Sequence, residues 1–186
     1  MGILLGFAPF ILFALLTSVS VSLALWAALA AAFAIAIRDF AHSPSLRMLD
    51  AGSVSLFFLL AFYAGFIQPS LSFQAVRLIV DGGLLGIALY SLLQRHPFTI
   101  DYARDEVPRE MWDTPMFLRA NYIITFVWCA AFTVMTAADA MATFNRDVPL
   151  ALDAAAGLAA LFGAVVFTAR YPTRVRADVE RAARRR

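Results

Sequence analysis

Long apolar runs, separated by short polar segments, make up most of the chain. The first run covers residues 3–37 and has no charged side chain over 35 positions. One helix of that length would measure about 50 Å, whereas the hydrocarbon core of a bilayer is about 30 Å thick. Hydroxyl side chains that can hydrogen-bond to a turning backbone interrupt the run, at Thr17, Ser18, Ser20 and Ser22. The pattern therefore predicts a helical hairpin with arms at residues 3–16 and 21–37, and one long tilted helix is the alternative.

Four more apolar runs are long enough to form helices that cross a bilayer. Pro69 and Pro97 stand just beyond the ends of the first two, where proline prevents a helix from continuing. Thr114 followed by Pro115 is typical of a helix N-cap and first helical position, so it marks the start of the next run. These predicted spans are residues 52–67, 76–93, 115–138 and 150–169. We therefore predict an all-α, polytopic transmembrane helical bundle of six spans, or five if the first hairpin is one helix or re-entrant.

The composition agrees with a membrane environment. Hydrophobic residues account for 62% of the chain and charged residues for 15%, with a mean hydropathy of +0.77. A water-soluble domain averages about 45 to 50% apolar and about 25% charged residues. A globular soluble enzyme, a disordered chain and a disulfide-stapled secreted module are therefore excluded. The chain divides into a transmembrane domain, residues 1–170, and a basic tail, residues 171–186.

The residue types that are absent restrict the possible chemistry. All fifteen basic residues are arginine, so Schiff-base chemistry, a Walker-type phosphate lysine and a lysine nucleophile are impossible. One cysteine, Cys129, and two histidines, His42 and His96, are too few for a bis-histidine haem pair or an ordinary Cys/His zinc site. We therefore expect no cofactor, no metal and no enzymatic activity.

The distribution of arginine predicts the orientation. Under the six-span interpretation, thirteen arginines lie on one side of the membrane and only Arg77 and Arg146 on the other. Cationic loops stay on the cytoplasmic side, so both termini are predicted to be cytoplasmic. Near the C-terminus, Arg170, Arg174 and Arg176 are predicted to bind anionic lipid headgroups, each contributing about 1 kcal/mol. Because lipid already offers these cations a partner, nucleic-acid binding is not expected.

Asp81, in the interior of a predicted span, is the first candidate for function, because burying a carboxylate in the membrane is costly. Arg77 lies one helical turn earlier, so the simplest interpretation is a structural ion pair between these two side chains. The alternative is a proton or cation relay, in which Asp81 takes up a proton as a substrate passes.

Small residues recur at four-residue spacing on two predicted spans. Gly82 and Gly86 lie on one of them, and Ala155, Ala159 and Gly163 on the last. Such residues let helix backbones approach closely in lipid. We predict that they pack helices within the chain, and a seam between two copies of the chain is the alternative.

The segment at residues 96–118 combines apolar, aromatic and charged residues. Its tryptophan and tyrosine are residue types that prefer the headgroup level, so the segment is predicted to lie along the membrane surface. Arginines are interspersed with its acids, which favours a solvated, salt-bridged face. The alternative is a docking surface for another envelope protein, involving Tyr102, Glu106 and Trp112.

Several features follow one another along the chain in a recognisable order. They are a short apolar N-terminal segment around Pro9, the sequence EVPREMW that contains Glu106 and Trp112, then Asn121 and Trp128 in the next span, and a basic tail. In this order of features the chain resembles the bacterial intracellular septation protein A family, which is found in the bacterial inner membrane. The absence of lysine is a departure from that family. The resemblance implies an inner-membrane protein that acts in septation or envelope maintenance through contacts with other membrane proteins. It supplies no catalytic residues, and a small oligomeric transporter or channel that uses Asp81 is the alternative function.

Overall fold

The computed structural model of the protein describes residues 2–42, 47–69, 71–145 and 149–184. Over these residues the regular structure is helical and no strand occurs. The helices are α1 Gly2–Gly6, α2 Ala8–Leu16, α3 Val21–His42, α4 Met48–Phe62, α5 Phe73–Leu93, α6 Thr99–Ala103, α7 Pro115–Phe144 and α8 Leu150–Arg184. The all-α class predicted from the apolar runs is confirmed.

The N-terminal run forms the predicted hairpin, and the single long helix is excluded. A turn at residues 17–20 separates α2 from α3, and the amide of Ser20 closes it by donating to the carbonyl of Leu16 at 3.1 Å. The first arm is itself divided at Phe7, because Pro9 stands in the first turn of α2 and its fixed φ and missing N–H suit a helix start. With 9 residues, α2 is about 13 Å long and does not cross a bilayer.

Five of the described helices are long and apolar enough to cross a membrane. The first arm is not among them, because its two helices have 5 and 9 residues. The five candidate spans are Val21–Ala41, Met48–Ile67, Phe73–Leu93, Pro115–Phe144 and Ala151–Thr173.

Aromatic side chains from the short α2 arm fill the centre of the bundle. Phe7 stacks on Trp128 of α7, with ring centroids 4.6 Å apart. Phe10 and Phe13 pack against Phe57 of α4 at 5.0 and 5.9 Å. The first arm is therefore a buried part of the core, although it is too short to be a span.

The helix ends are capped by local polar groups. Ser72 accepts a hydrogen bond from the amide of Ala75 at the start of α5, and Thr114 accepts one from the amide of Phe117 at the start of α7, as predicted. The end of α5 turns at Arg95, whose φ of 56° lies in the left-handed region. α8 continues through Pro172 to Arg184, so the predicted boundary between residues 170 and 171 falls inside one helix.

The long helices bring most of the arginines to one end of the bundle. The starts of α4 and α7 lie there beside the ends of α3 and α5, since Arg47 bridges to Asp39 and Tyr122 donates to the carbonyl of Arg95 at 3.0 Å. We call this the arginine-rich end. Gly6 also packs there, against Tyr102 of α6. The starts of α5 and α8 and the end of α7 meet at the opposite end.

Candidate functional site

Four charged side chains from three spans meet near the opposite end, and we call them the acidic cluster. They are Arg77 and Asp81 of α5, Asp139 of α7 and Asp153 of α8. The guanidinium of Arg77 contacts Asp139 Oδ1 at 2.9 Å and Asp153 Oδ2 at 2.7 Å. The two carboxylates are 2% and 3% exposed, so this is a buried ion-pair network.

The cluster lies inside the spans rather than at their surface. At a rise of about 1.5 Å per residue, Arg77, Asp139 and Asp153 are each within roughly 8 Å of a helix end, and Asp81 is one turn deeper along α5. All four residues lie within the candidate spans Phe73–Leu93, Pro115–Phe144 and Ala151–Thr173. Ionisable groups at such positions are costly and commonly mark pathways for ions or protons.

The cluster holds more acid than base. Asp81 lies beside Asp139 of the neighbouring span, and the charge of Arg77 acts on both carboxyl groups. Among the described residues of the cluster, one guanidinium therefore faces three carboxyl groups. With all three ionised, the cluster would carry a formal charge of −2. Because an ionised carboxylate can only accept hydrogen bonds, a direct bond between Asp81 and Asp139 would need a proton on one of them.

Hydroxyl groups on α7 extend the polar surface around the cluster. Thr136 and Thr143 lie three residues before and four residues after Asp139, on the same helical face. Their hydroxyl oxygens are buried without hydrogen-bond partners among the described atoms, as are Asp139 Oδ2 and Asp153 Oδ1. Gly82 of α5 faces Thr136, whose methyl carbon would lie 3.7 Å from an added Cβ. The cluster therefore has hydrogen-bonding capacity beyond the bonds it makes.

The arginine-rich end holds a second buried network, which we call the Arg47 network. Arg47 bridges to Asp39 and to Asp105, each at 2.7 Å, and its guanidinium lies 4.7 Å from the centre of the Tyr102 ring. The hydroxyl of Tyr102 donates to Asp50 Oδ1 at 3.3 Å. This network joins the end of α3, the start of α4 and the segment that contains α6.

Asp101 adds a further contact between α6 and α4. Its carboxylate accepts a hydrogen bond from the amide of Met48, the first residue of α4, at 3.3 Å. Burial raises the pKa of Asp101, although the imidazole of His96, 3.6 Å away, acts in the opposite direction. Burial and then the nearby Asp50 raise the pKa of Tyr102, so its hydroxyl remains a donor. Asp101 thus binds an amide at the start of α4, where the residue before the helix provides no side-chain cap.

The pairing of Arg77 corrects the sequence interpretation. Arg77 forms its ion pairs with Asp139 and Asp153, while Asp81 lies near enough to Arg77 for its charge to act on the carboxyl group. Sequence reasoning did not select Asp139 because the predicted fifth span ended one residue before it, whereas α7 continues to Phe144. The sequence did contain a signal for the longer helix, because residues 140–144 are mostly apolar and allow α7 to extend past Asp139. Asp153 lay within the last predicted span.

The small residues singled out from the sequence mostly face away from the chain. An added Cβ at Gly86 or Gly163 would meet no atom within 4 Å, and Ala155 and Ala159 are exposed. Close packing within the chain occurs instead at two other glycines. Gly52 faces Ile87 and Gly83 faces Leu56, so the close contact between α4 and α5 depends on these positions. Of the predicted packing residues, Gly82 does face another span of the chain, at Thr136, whereas Gly86, Ala155, Ala159 and Gly163 do not pack within the chain.

Two of the three residues named for a docking surface, Tyr102 and Trp112, make contacts within the chain. Tyr102 is only 4% exposed, beneath Arg47 and Gly6, so it is not available to a partner. Trp112 donates to the carbonyl of Val107 at 3.2 Å, and Arg104 and Arg109 lie 5.0 and 5.6 Å from its ring centre. The side chain of Glu106 is exposed.

The predicted lipid-binding arginines lie in the last part of α8. Arg170 is exposed, whereas the side chains of Arg174 and Arg176 lie outside the described part of the structure. The described residues contain no group of three or more His, Cys, Asp or Glu side chains arranged to hold a metal ion.

Comparisons with protein-family models, with curated proteins and with solved structures give no match to this chain. The resemblance to the septation family therefore stays a prediction. What the protein does must be inferred from the two buried networks and the surfaces around them.

Proposed function

We propose that this multi-pass membrane protein handles protons, and that the Asp81–Asp139 pair takes up and releases a proton during transport. The observation that supports this proposal is the meeting of three carboxyl groups, Asp81, Asp139 and Asp153, around the single guanidinium of Arg77. Neighbouring carboxyl groups oppose each other's ionisation, so in this proposal one proton stays with the Asp81–Asp139 pair.

Arg77 has a positioning role in this proposal. It holds Asp139 and Asp153 through separate nitrogen atoms, so both carboxyl groups stay oriented when the proton moves. Its charge favours ionised Asp139, which is the state that exists when the proton resides on Asp81. Transfer from Asp139 to Asp81 carries the proton about one helical turn deeper than Arg77 along α5.

Proton flux in proteoliposomes that contain a pH-sensitive dye tests the proposal. Asp81→Asn and Asp139→Asn should each abolish the flux, because an amide cannot exchange the carried proton. Asp50→Asn is the matched control, since Asp50 is equally buried but belongs to the Arg47 network. Unchanged flux in the first two variants, or equal loss in all three, would overturn the proposal.

A second candidate function is an interaction component of the bacterial cell envelope, with septation or envelope maintenance as its setting. It is supported by the filled aromatic centre of the bundle around Phe7 and Trp128. Neither of the two best-formed depressions in the described structure includes a member of the acidic cluster. In this case partners would bind the exposed face of α8 or the surface segment near Glu106. Pull-down with wild-type protein and with Glu106→Arg distinguishes this candidate, because only an interaction component should lose a specific partner.

Both candidates place the arginine-rich end in the cytoplasm of a bacterial inner membrane, as the asymmetry of arginine predicts. Single cysteines introduced into a Cys129→Ala background test this orientation. An impermeant maleimide applied to intact cells should label Gln68→Cys, at the opposite end, and should not label Asp113→Cys. The reverse pattern would contradict the orientation.

A further inference from the structure

We infer that the outer face of α8, near the arginine-rich end, binds one anionic phospholipid, with the phosphate on Arg170 and an acyl chain over Gly163. A depression of about 240 Å³ lies on this face. Its lining residues are spaced so that they share one side of the helix: Gly163, Val166, Phe167, Arg170 and Tyr171. This lipid site is independent of the proton-handling proposal.

The part of the depression around Gly163, farther from the arginine-rich end, is apolar and open. Gly163 has no neighbouring atom within 4 Å of an added Cβ, so its missing side chain leaves the space free. Phe167 and Tyr171 form one wall, with ring centroids 4.9 Å apart and a nearly parallel stack of 16°. Both rings also pack against the core, which fixes the wall in place. An acyl chain is the apolar ligand that a lipid-facing surface of this kind would bind.

The end of the depression near Arg170 carries a positive charge that has no partner among the described side chains. Arg170 is exposed and forms no ion pair or ring contact with another described residue. By contrast, Arg77 and Arg47 are held by carboxylates, and Arg104 and Arg109 by Trp112. The guanidinium of Arg170 is therefore available to a phosphate, for which its planar donors are well suited.

The spacing of the two parts fits a lipid rather than a free phosphate. Arg170 and Gly163 are seven residues apart, or about 10 Å along the helix axis. In a phospholipid that lies parallel to a membrane-crossing helix, the phosphate and the first carbons of an acyl chain are separated by a similar distance. An anionic headgroup is preferred because a zwitterionic one brings a positive charge close to Arg170.

Native mass spectrometry of the full chain, titrated with phosphatidylglycerol in detergent, tests the site. Wild-type protein should retain one tightly bound lipid, and Arg170→Gln should weaken that binding about fivefold, the factor expected for one cation at a membrane surface. Arg119→Gln is the matched control, because Arg119 is exposed at the same end, near the start of α7, and lines neither of the two best-formed depressions. Equal losses in the two variants would mean general surface attraction and would overturn the inference.

Two further arms test the acyl-chain part of the site. Gly163→Leu should weaken lipid binding by filling the depression, whereas Gly86→Leu, at another open glycine, should leave it unchanged. Glycerol phosphate should not displace the bound lipid. Displacement by glycerol phosphate, or unchanged binding in Gly163→Leu, would show that no chain is recognised and would overturn the inference. Thermal unfolding of each variant confirms that the protein is folded.

Discussion

The two buried charged networks lie at opposite ends of the bundle and differ in their charge balance. In the Arg47 network, Arg47 and Arg38 face Asp39 and Asp105, and Asp50 joins through Tyr102, so two guanidinium groups face three carboxyl groups. In the acidic cluster, one guanidinium faces three carboxyl groups. The excess of acid is therefore larger in the acidic cluster. Burying an uncompensated carboxylate is costly, so binding a proton would relieve the acidic cluster more than the Arg47 network. This difference is why the proton-handling proposal concerns the opposite end.

The networks also differ in what they join. Arg47 attaches the segment that contains α6 to the ends of two spans, and Asp105 is half exposed to solvent. Arg77 joins three spans, and its carboxylate partners are almost fully buried. Removing one member of a buried pair leaves the other charge without compensation, at a cost of about 3 to 5 kcal/mol. Partly solvated pairs cost much less.

The largest effect is expected for Arg77→Gln. This change leaves Asp139 and Asp153 buried without a cation and should lower the free energy of unfolding by about 3 to 5 kcal/mol. Thermal unfolding in detergent measures it. Adding Asp153→Asn to Arg77→Gln should recover part of the loss, because one uncompensated charge is removed. A wild-type melting temperature for Arg77→Gln would contradict the importance of the pair.

Arg47→Gln should have a smaller, more local effect, roughly 2 kcal/mol, since only Asp39 among its carboxylate partners is deeply buried. Hydrogen exchange should rise mainly in residues 99–111, because the segment loses an attachment to the bundle. If Arg47→Gln destabilised the protein as much as Arg77→Gln or more, the expected difference between the two networks would be contradicted.

Gly6→Ala tests the contact between the N-terminal arm and the Arg47 network. An added Cβ at Gly6 would overlap the hydroxyl of Tyr102, so the change should destabilise the protein by about 1 to 2 kcal/mol. Tyr102→Phe removes that hydroxyl, and in this background Gly6→Ala should cost less, although the ring carbon Cζ of residue 102 would still lie 2.9 Å from the added Cβ. A double-mutant cycle of unfolding free energies measures the coupling, and additive effects would show that the two residues do not interact.

The smallest effect is a pH dependence at Asp101. Burial raises the pKa of this carboxyl above its ordinary value of 3.8 in the folded state. The folded protein therefore binds the proton more tightly than the unfolded chain, so this group's contribution to stability falls as the pH rises from about 4 through the raised pKa. Asp101→Asn keeps an acceptor for the Met48 amide and should flatten that part of the stability profile. Identical profiles in the two proteins would contradict the expected shift.

Much of the helical architecture could be predicted from particular residues. The hydroxyl cluster at Thr17 and Ser20 marked the hairpin turn, and Thr114 before Pro115 marked the start of α7 within one residue. These signals are local, because a cap or a turn depends on side chains a few residues from the backbone they bind. The division of the first arm at Phe7 was missed, since the uninterrupted apolar run conceals a break in the helix.

The candidate site was predicted only in part. Asp81 and Arg77 were chosen because single charges stand out in apolar runs, but their partners were not identified. Asp153 lies 76 residues after Arg77, and no periodicity within one helix shows that α5, α7 and α8 are neighbours at that end. The same limit applies to Tyr102, whose burial depends on contacts with Gly6 and Arg47.

The sequence by itself determined the membrane environment, the helical class and the uneven distribution of arginine. Long apolar runs are stable in lipid whichever helices surround them, so their length and composition are enough to predict these features. The tertiary structure decided which charges meet, and therefore that Asp139 and Asp153 belong with Arg77 and that Asp81 lies beside them. The physical reason is that the free energy of a buried charge depends on groups within a few ångströms. In a bundle those groups come from helices far apart in the chain.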